Sequence, residues 1–137
     1  MFTDNYRVLF EDYSERHYIK AFKKDYDNQW LVTRKALVAQ FAHIDQLVLN
    51  NRTNPPIHRT DDNKEWIIKH EFAVAGRKQS AKNSGNRVIL YVNHNDHTVR
   101  VLLLYHKGHL GRSTNETATW RGIIKQEFKD LLAGFSL

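Results

Sequence analysis

The chain has no cysteine, only two prolines and six glycines. Without cysteine there is no disulfide framework and no thiolate zinc site, which fits a reducing, cytoplasmic compartment. Nor is there a run of the roughly 18 apolar residues that a membrane helix needs. The opening "MFTDNYRVLFEDYS" lacks the basic and apolar blocks of a secretory leader. G-x-S-x-G, Walker A and G-x-G-x-x-G are all missing, which removes the commonest hydrolase, nucleotide and dinucleotide signatures. Acids are scarce in one place only, the middle of the chain.

That scarcity locates the charge. Residues 64–112 hold nine Lys/Arg against three acids (Glu65, Glu71 and Asp96), whereas the remainder carries twelve of each sign. The whole net charge of +6 therefore sits in the middle third. Its densest part is "AGRKQSAKNSGNRVILYV", residues 75–92, which contains no acid. A localised excess of this kind attracts a polyanion, nucleic acid or an acidic protein.

The 41% apolar and 12% aromatic content is that of a folded chain, and 137 residues make a single domain, 1–137. Alternation over 6–12 predicts a strand. Ser14 is the expected cap of a first helix, with Ile19, Phe22, Tyr26 and Trp30 on its apolar face. Thr33 is the expected cap of a second, striped by Leu37, Phe41, Ile44 and Val48. Residues 50–63 carry both prolines and predict a loop. Strands follow over 65–74, 87–92 and 98–107, the last two joined by the polar turn "NHNDH". "STNE" at 113–116 has capping-box spacing and opens a third helix, striped by Trp120, Ile124, Phe128 and Leu131. The expected fold is α+β, a small β-α-α-β-β-β-α domain. Its sheet is antiparallel-dominated, with helices mainly on one face and the other partly open.

Candidate chemistry concentrates on the basic stretch. His94/His97 and His106/His109 both have H-x-x-H spacing, but they fall at turns and strand ends, where a solvated histidine is the ordinary outcome. Glu71 stands alone among the cations near it in sequence, so a two-metal nuclease lacks its acids. RNA cleavage without metal needs less, because the ribose 2′-OH supplies the nucleophile. The protein must orient the phosphate, stabilise added negative charge and move protons. "YHKGH" at 105–109 places Tyr105, His106, Lys107 and His109 at one strand end. The start of the neighbouring strand would bring Arg87 there, so that cations and titratable groups meet on one rim.

The element order, and the stretch "AKNSGNRVILYVNHNDHTVRVLLLYHKGHL", resemble the RelE/ParE superfamily of type II toxin–antitoxin toxins, most of all its HigB-like branch. Gly85, Arg87, Val88, Ile89 and Tyr91 match one motif; Leu102, Leu103, Tyr105 and Lys107 match the next. The resemblance implies a RelE-like fold and a ribosome-dependent, metal-independent mRNA endoribonuclease that inhibits translation. Its implied partners are mRNA on the ribosome and a cognate antitoxin protein, with no membrane, metal or small-molecule cofactor. It implies that Arg87 grips the scissile phosphate while Lys69 and Lys82 stabilise developing charge. Tyr105 or His106 would stack on a base or assist proton transfer, with Lys107 at the distal cationic position. Arg77, Lys78, Arg112 and His109 would bind RNA. Two positions depart from the family's pattern: Gly108 stands where RelE-type members often carry Arg, and their late Tyr has no counterpart in "GRSTNETATW". ParE-like toxins, which inhibit DNA gyrase without enzymatic activity, offer an alternative reading. A catalytically inactive RNA- or protein-binding relative is another.

Overall fold

The alternation near the start forms β1 (Arg7–Phe10) in the computed structural model, which describes residues 5–50, 56–110 and 115–137. A helical stretch follows at once: α1 (Asp12–Ser14), a π-helical turn over Glu15–Ile19, and α2 (Lys20–Tyr26). Asp27, at φ +48°, ends it; a short polar side chain tolerates positive φ better than a branched one. α3 (Asn28–Ala42) and α4 (Ile44–Asn50) complete the N-terminal part.

Two expected caps prove to be ties instead. The break falls at Asp27 and not before Thr33, so Trp30 belongs to the later helix. Thr33 lies inside α3, where its hydroxyl donates to the Gln29 carbonyl (2.7 Å) and accepts from the Ala75 N–H (2.8 Å). Ser14 is buried, and its Oγ accepts from the Leu104 N–H at 2.9 Å.

Beyond α4 come β2 (His58–Arg59), β3 (Glu65–Glu71), α5 (Ala81–Ser84), β4 (Asn86–Asn93) and β5 (Thr98–His106). A 3-10 turn over Lys107–Leu110 and α6 (Glu116–Glu127) close the order. The two-residue β2 falls within the stretch read as loop. Asn115 caps α6 by accepting from the Ala118 N–H at 3.0 Å; Ser113 of the expected capping box lies outside the described residues. No helix among the described residues is long and apolar enough to cross a membrane.

The five strands form one mixed sheet in the order β1-β5-β4-β3-β2, parallel only where β1 meets β5. A bulge sets its chemistry. Ile89 pairs with Leu103 but Leu90 pairs with Val101, which leaves Leu102 as the extra residue. An inserted residue reverses the alternation beyond it. Val99 and Val101 therefore join the core on one face, while Leu103 and Tyr105 join the core on the other.

Both faces are covered. Phe22, Trp30, Leu37, Phe41 and Ile44 of the N-terminal helices pack against Ile68, Val88, Leu90, Val92, Val99 and Val101. Trp120, Ile124, Phe128 and Leu132 pack on the opposite face against Ile67, Ile89, Tyr91, Leu103 and Tyr105. Each large side chain so buried stabilises the fold by roughly 1.5–3 kcal/mol before entropy is counted. The expectation that one face stays partly open is thus corrected by α6 and the segment after it, whose indole and phenyl groups bury that face. The molecule is a small α+β domain with a five-stranded mixed sheet.

Candidate functional site

Pairing in the central sheet puts Glu71, Arg87 and Tyr105 on one rung across β3, β4 and β5. Lys69 lies two residues before Glu71, so the pleat sends it to the same face. The local sequence fixes where Arg87 begins its strand. Ser80 caps α5 by accepting from the Asn83 N–H at 3.2 Å, and Gly85 leaves the helix at φ +79°. The Ser84 hydroxyl donates to the Phe72 carbonyl and accepts from the Asn86 N–H, which ties the turn to β3. Any Cβ at Gly85 would lie 2.8 Å from His106 Nε2, so a side chain there requires the imidazole to shift.

α6 delivers the centre of the cluster. Glu116, in its first turn, presents Oε2 to the Tyr105 hydroxyl (2.8 Å), to Lys69 Nζ (3.2 Å) and to Arg87 Nε (3.9 Å). Arg87 also meets Glu71 Oε2 from Nη1 at 3.6 Å, so its guanidinium lies between two carboxylates. Its side chain is only 11% exposed. Burial opposes charge on Glu116, but the Tyr105 hydrogen bond and the Lys69 and Arg87 charges outweigh it, holding the carboxyl below its ordinary range. Tyr105 moves the other way. Burial first, then its bond to Glu116, pushes the phenol far above its usual value and keeps it protonated.

The remaining predicted residues do not join this cluster. His106 sits one residue beyond Tyr105 and takes the opposite face, with its ring 5.7 Å from that of His109. His106 Nδ1 accepts from the Gly108 N–H, and His109 Nδ1 accepts from the His106 N–H. The His109 ring lies 5.8 Å from Phe22, within the N-terminal helical layer. Burial and the neighbouring His106 lower its affinity for a proton, against a smaller opposing effect of Asp25. The expected single rim is therefore two half-sites on opposite faces of β5, because adjacent strand residues cannot share a face. Arg77 stacks over Tyr26 at 4.8 Å. Lys78, Lys82 and Lys107 are exposed. Arg112 lies outside the described residues.

His94 departs from its reading as a solvated turn residue. Its Nδ1 is 2.6 Å from the Tyr6 hydroxyl and its ring 4.1 Å from Trp66. Among the described residues no three His, Asp or Glu side chains gather as a metal site needs.

The residue that the sequence reading missed is Glu116. It lies outside the basic stretch, and its one local signal is an acid in the first turn of a helix, where an acid is favoured anyway. No protein-family model matches the chain, and no curated protein or solved structure matches it.

Proposed function

We propose that this chain is a ribosome-dependent, metal-independent mRNA endoribonuclease with a RelE-like fold, the toxin of a type II toxin–antitoxin pair. One observation carries the reading: Lys69 Nζ, the Tyr105 hydroxyl and Arg87 Nε converge on a single anionic oxygen, Glu116 Oε2. A phosphoryl oxygen carries the same kind of charge and accepts the same bonds. An RNA phosphate that displaces the carboxylate inherits its donors. The order of strands, with β1 parallel beside β5 and a three-strand meander, supports the fold assignment; β2 and α5 are additions to it.

The chemistry follows from the groups present. The ribose 2′-oxygen forms a bond to phosphorus as the bond to the 5′-oxygen breaks, leaving a 2′,3′-cyclic phosphate. Arg87 and Lys69 stabilise the added charge on the phosphoryl oxygens. The Glu116 carboxylate, displaced from these donors but tethered at the start of α6, accepts the 2′-proton, while the Tyr105 hydroxyl supplies one to the departing oxygen. Arg77, Lys78 and Lys82 form the exposed lip that attracts the strand and that an acidic antitoxin segment covers.

Added to a translation extract without supplementary metal, the purified protein cuts mRNA at codon-related positions only when ribosomes engage it. Cuts on naked RNA alone, or none at all, contradict this. RNA binding without cleavage is the second reading, favoured because Tyr105 is fully buried beneath Glu116. Under that reading Glu116→Ala tightens binding and still yields no cut.

A further inference from the structure

On its outer side β3 has a partner for only part of its length. The neighbouring β2 pairs with Trp66 and Ile67 alone, and Pro56, just before it, has no N–H with which to extend the ladder. Beyond Ile67 the alternation of the backbone decides which groups are left over. The Phe72 N–H donates to the Asn86 carbonyl and the Phe72 carbonyl accepts from the Ser84 hydroxyl, both on the β4 side. Lys69, Glu71 and Ala73 therefore turn their main-chain groups outward. Among the described residues nothing bonds to those groups. An open strand edge of this kind is a template for another strand.

A cleft of about 580 Å³ runs along this edge, with α3 as its far wall and the start of α5 at one end. A hollow over one face of a strand touches alternate residues. This one touches His70, Glu71, Phe72 and Ala73 in succession, which puts it on the edge. Glu71 contributes its main chain, since its carboxylate lies on the α6 face against Arg87. Ala36 and Leu37 of α3, with Phe72, make the wall apolar. The Thr33 hydroxyl, bonded to the Ala75 N–H, closes the edge at its end. The charge nearby has one sign. Lys82 lines the cleft, Arg77 and Lys78 lie on the segment leading to it, and no acid occurs from residue 72 to residue 95.

We infer that an extended, acidic segment of a partner protein adds to the sheet here, as a further strand beside β3. Its main chain takes the donors and acceptors of Glu71 and Ala73. Its alternate apolar side chains enter the cleft toward α3, and its carboxylates meet Lys82 and the lip beyond. A second copy of this chain is disfavoured, because two such basic edges repel. The inference deepens the partner half of the reading above: it says how the covering protein holds on, and it needs no RNA cleavage.

The probe is an acetylated, amidated octapeptide of alternating glutamate and valine, titrated into the full chain by calorimetry and by amide hydrogen exchange. It binds, and the Glu71 and Ala73 N–H groups exchange about tenfold or more slowly in the complex. The same peptide with its peptide nitrogens methylated keeps every side chain but cannot complete the ladder, and it binds about tenfold or more weakly. A lysine–valine octapeptide is weakened likewise. Ala73→Pro removes one outward donor and no bond to β4, so it weakens the glutamate–valine peptide while its amide shifts remain those of a folded chain. No binding by that peptide at about 1 mM overturns the inference, as do Glu71 and Ala73 amides left unprotected at saturation. Equal binding by the methylated or the lysine–valine peptide overturns it as well. An RNA tetranucleotide that protects these two amides as well as the peptide does overturns the assignment to a protein partner. Peptide binding alongside intact mRNA sinks the endonuclease reading alone, and cut mRNA with a silent edge sinks this inference alone.

Discussion

Tyr105 and Glu116 meet at 2.8 Å across the junction between a central strand and the helix that covers it. The bond joins a phenol kept protonated by burial to a carboxylate kept ionised by its cationic neighbours. It also places an anion among the donors that a phosphate would use. The cluster is thus assembled and filled at once, with α6 supplying the filling.

Glu116→Ala should separate these two roles. It leaves a buried phenol without its acceptor and takes the carboxylate from Lys69, while Arg87 keeps Glu71, a loss of roughly 1–3 kcal/mol in unfolding free energy. RNA affinity should move the other way, rising about threefold to tenfold with a steeper dependence on salt. Chemical denaturation and a salt titration of RNA binding measure both. Weaker binding in a folded variant would show that the carboxylate helps to hold RNA instead of occupying its place.

A fully exposed phosphate ligand at position 87 would let Arg87→Ala leave the fold intact. At 11% exposure, with Glu71 and Glu116 beside it, Arg87 is structural as well. Removing it takes the cation from Glu71, while Glu116 keeps Lys69 and Tyr105, and a buried pair so broken costs about 3–5 kcal/mol at full burial. Arg87→Lys keeps the charge but loses the planar fork. It should melt within a few degrees of the parent while activity drops about 10²-fold, the scale of one lost transition-state donor. Full activity in Arg87→Lys would remove Arg87 from the phosphate site.

Gly85→Ala tests how the strand start is positioned. The backbone at φ +79° disfavours any side chain by roughly 1–2 kcal/mol. The added Cβ would also press on His106 Nε2 at 2.8 Å. The expected result is a lower melting temperature together with a shift in the His106 imidazole resonances. Unchanged resonances would mean that the turn relaxes away from β5.

Acid should weaken the fold through the histidines whose protonation burial opposes, His94 among them. Burial lowers the proton affinity of His94, partly offset by Asp45, with His97 and Lys64 lowering it further. A histidine whose folded pKa lies below its unfolded value near 6.5 contributes stability above that value. The contribution is lost as the pH falls through the folded pKa. Buried His70 shifts in the same direction, by desolvation against Glu71. Stability should therefore fall from pH 7.5 to pH 5, and less steeply in His94→Gln. Parallel pH profiles for the two proteins would exclude His94 as a contributor.

The sheet was legible because its signal is local: alternation over 65–74, 87–92 and 98–107 found β3, β4 and β5 within a few residues. The bulge was not. Leu102 is apolar on either face, so nothing in "VRVLLLYH" marks it as the extra residue. The merging of Tyr105 and His106 into one rim has a different cause, since adjacent strand residues point apart with or without a bulge before them. Ser14 and Thr33 carry the side chains of caps and serve instead as partners for Leu104 and Ala75, a choice made by tertiary packing. Glu116 was invisible for a related reason. Its partners Lys69, Arg87 and Tyr105 lie on three different strands, and only the covering of the sheet by α6 brings it to them.

The central claim is that the Lys69–Arg87–Tyr105 donor set acts on an RNA phosphate. Primer extension on a defined mRNA in a translation extract, comparing wild type with Arg87→Lys and Tyr105→Phe, tests it most directly. The account predicts ribosome-dependent cuts by wild type that fall about 10²-fold in each folded variant. Cuts of equal strength in all three proteins, or intact mRNA with the folded wild type, would contradict it.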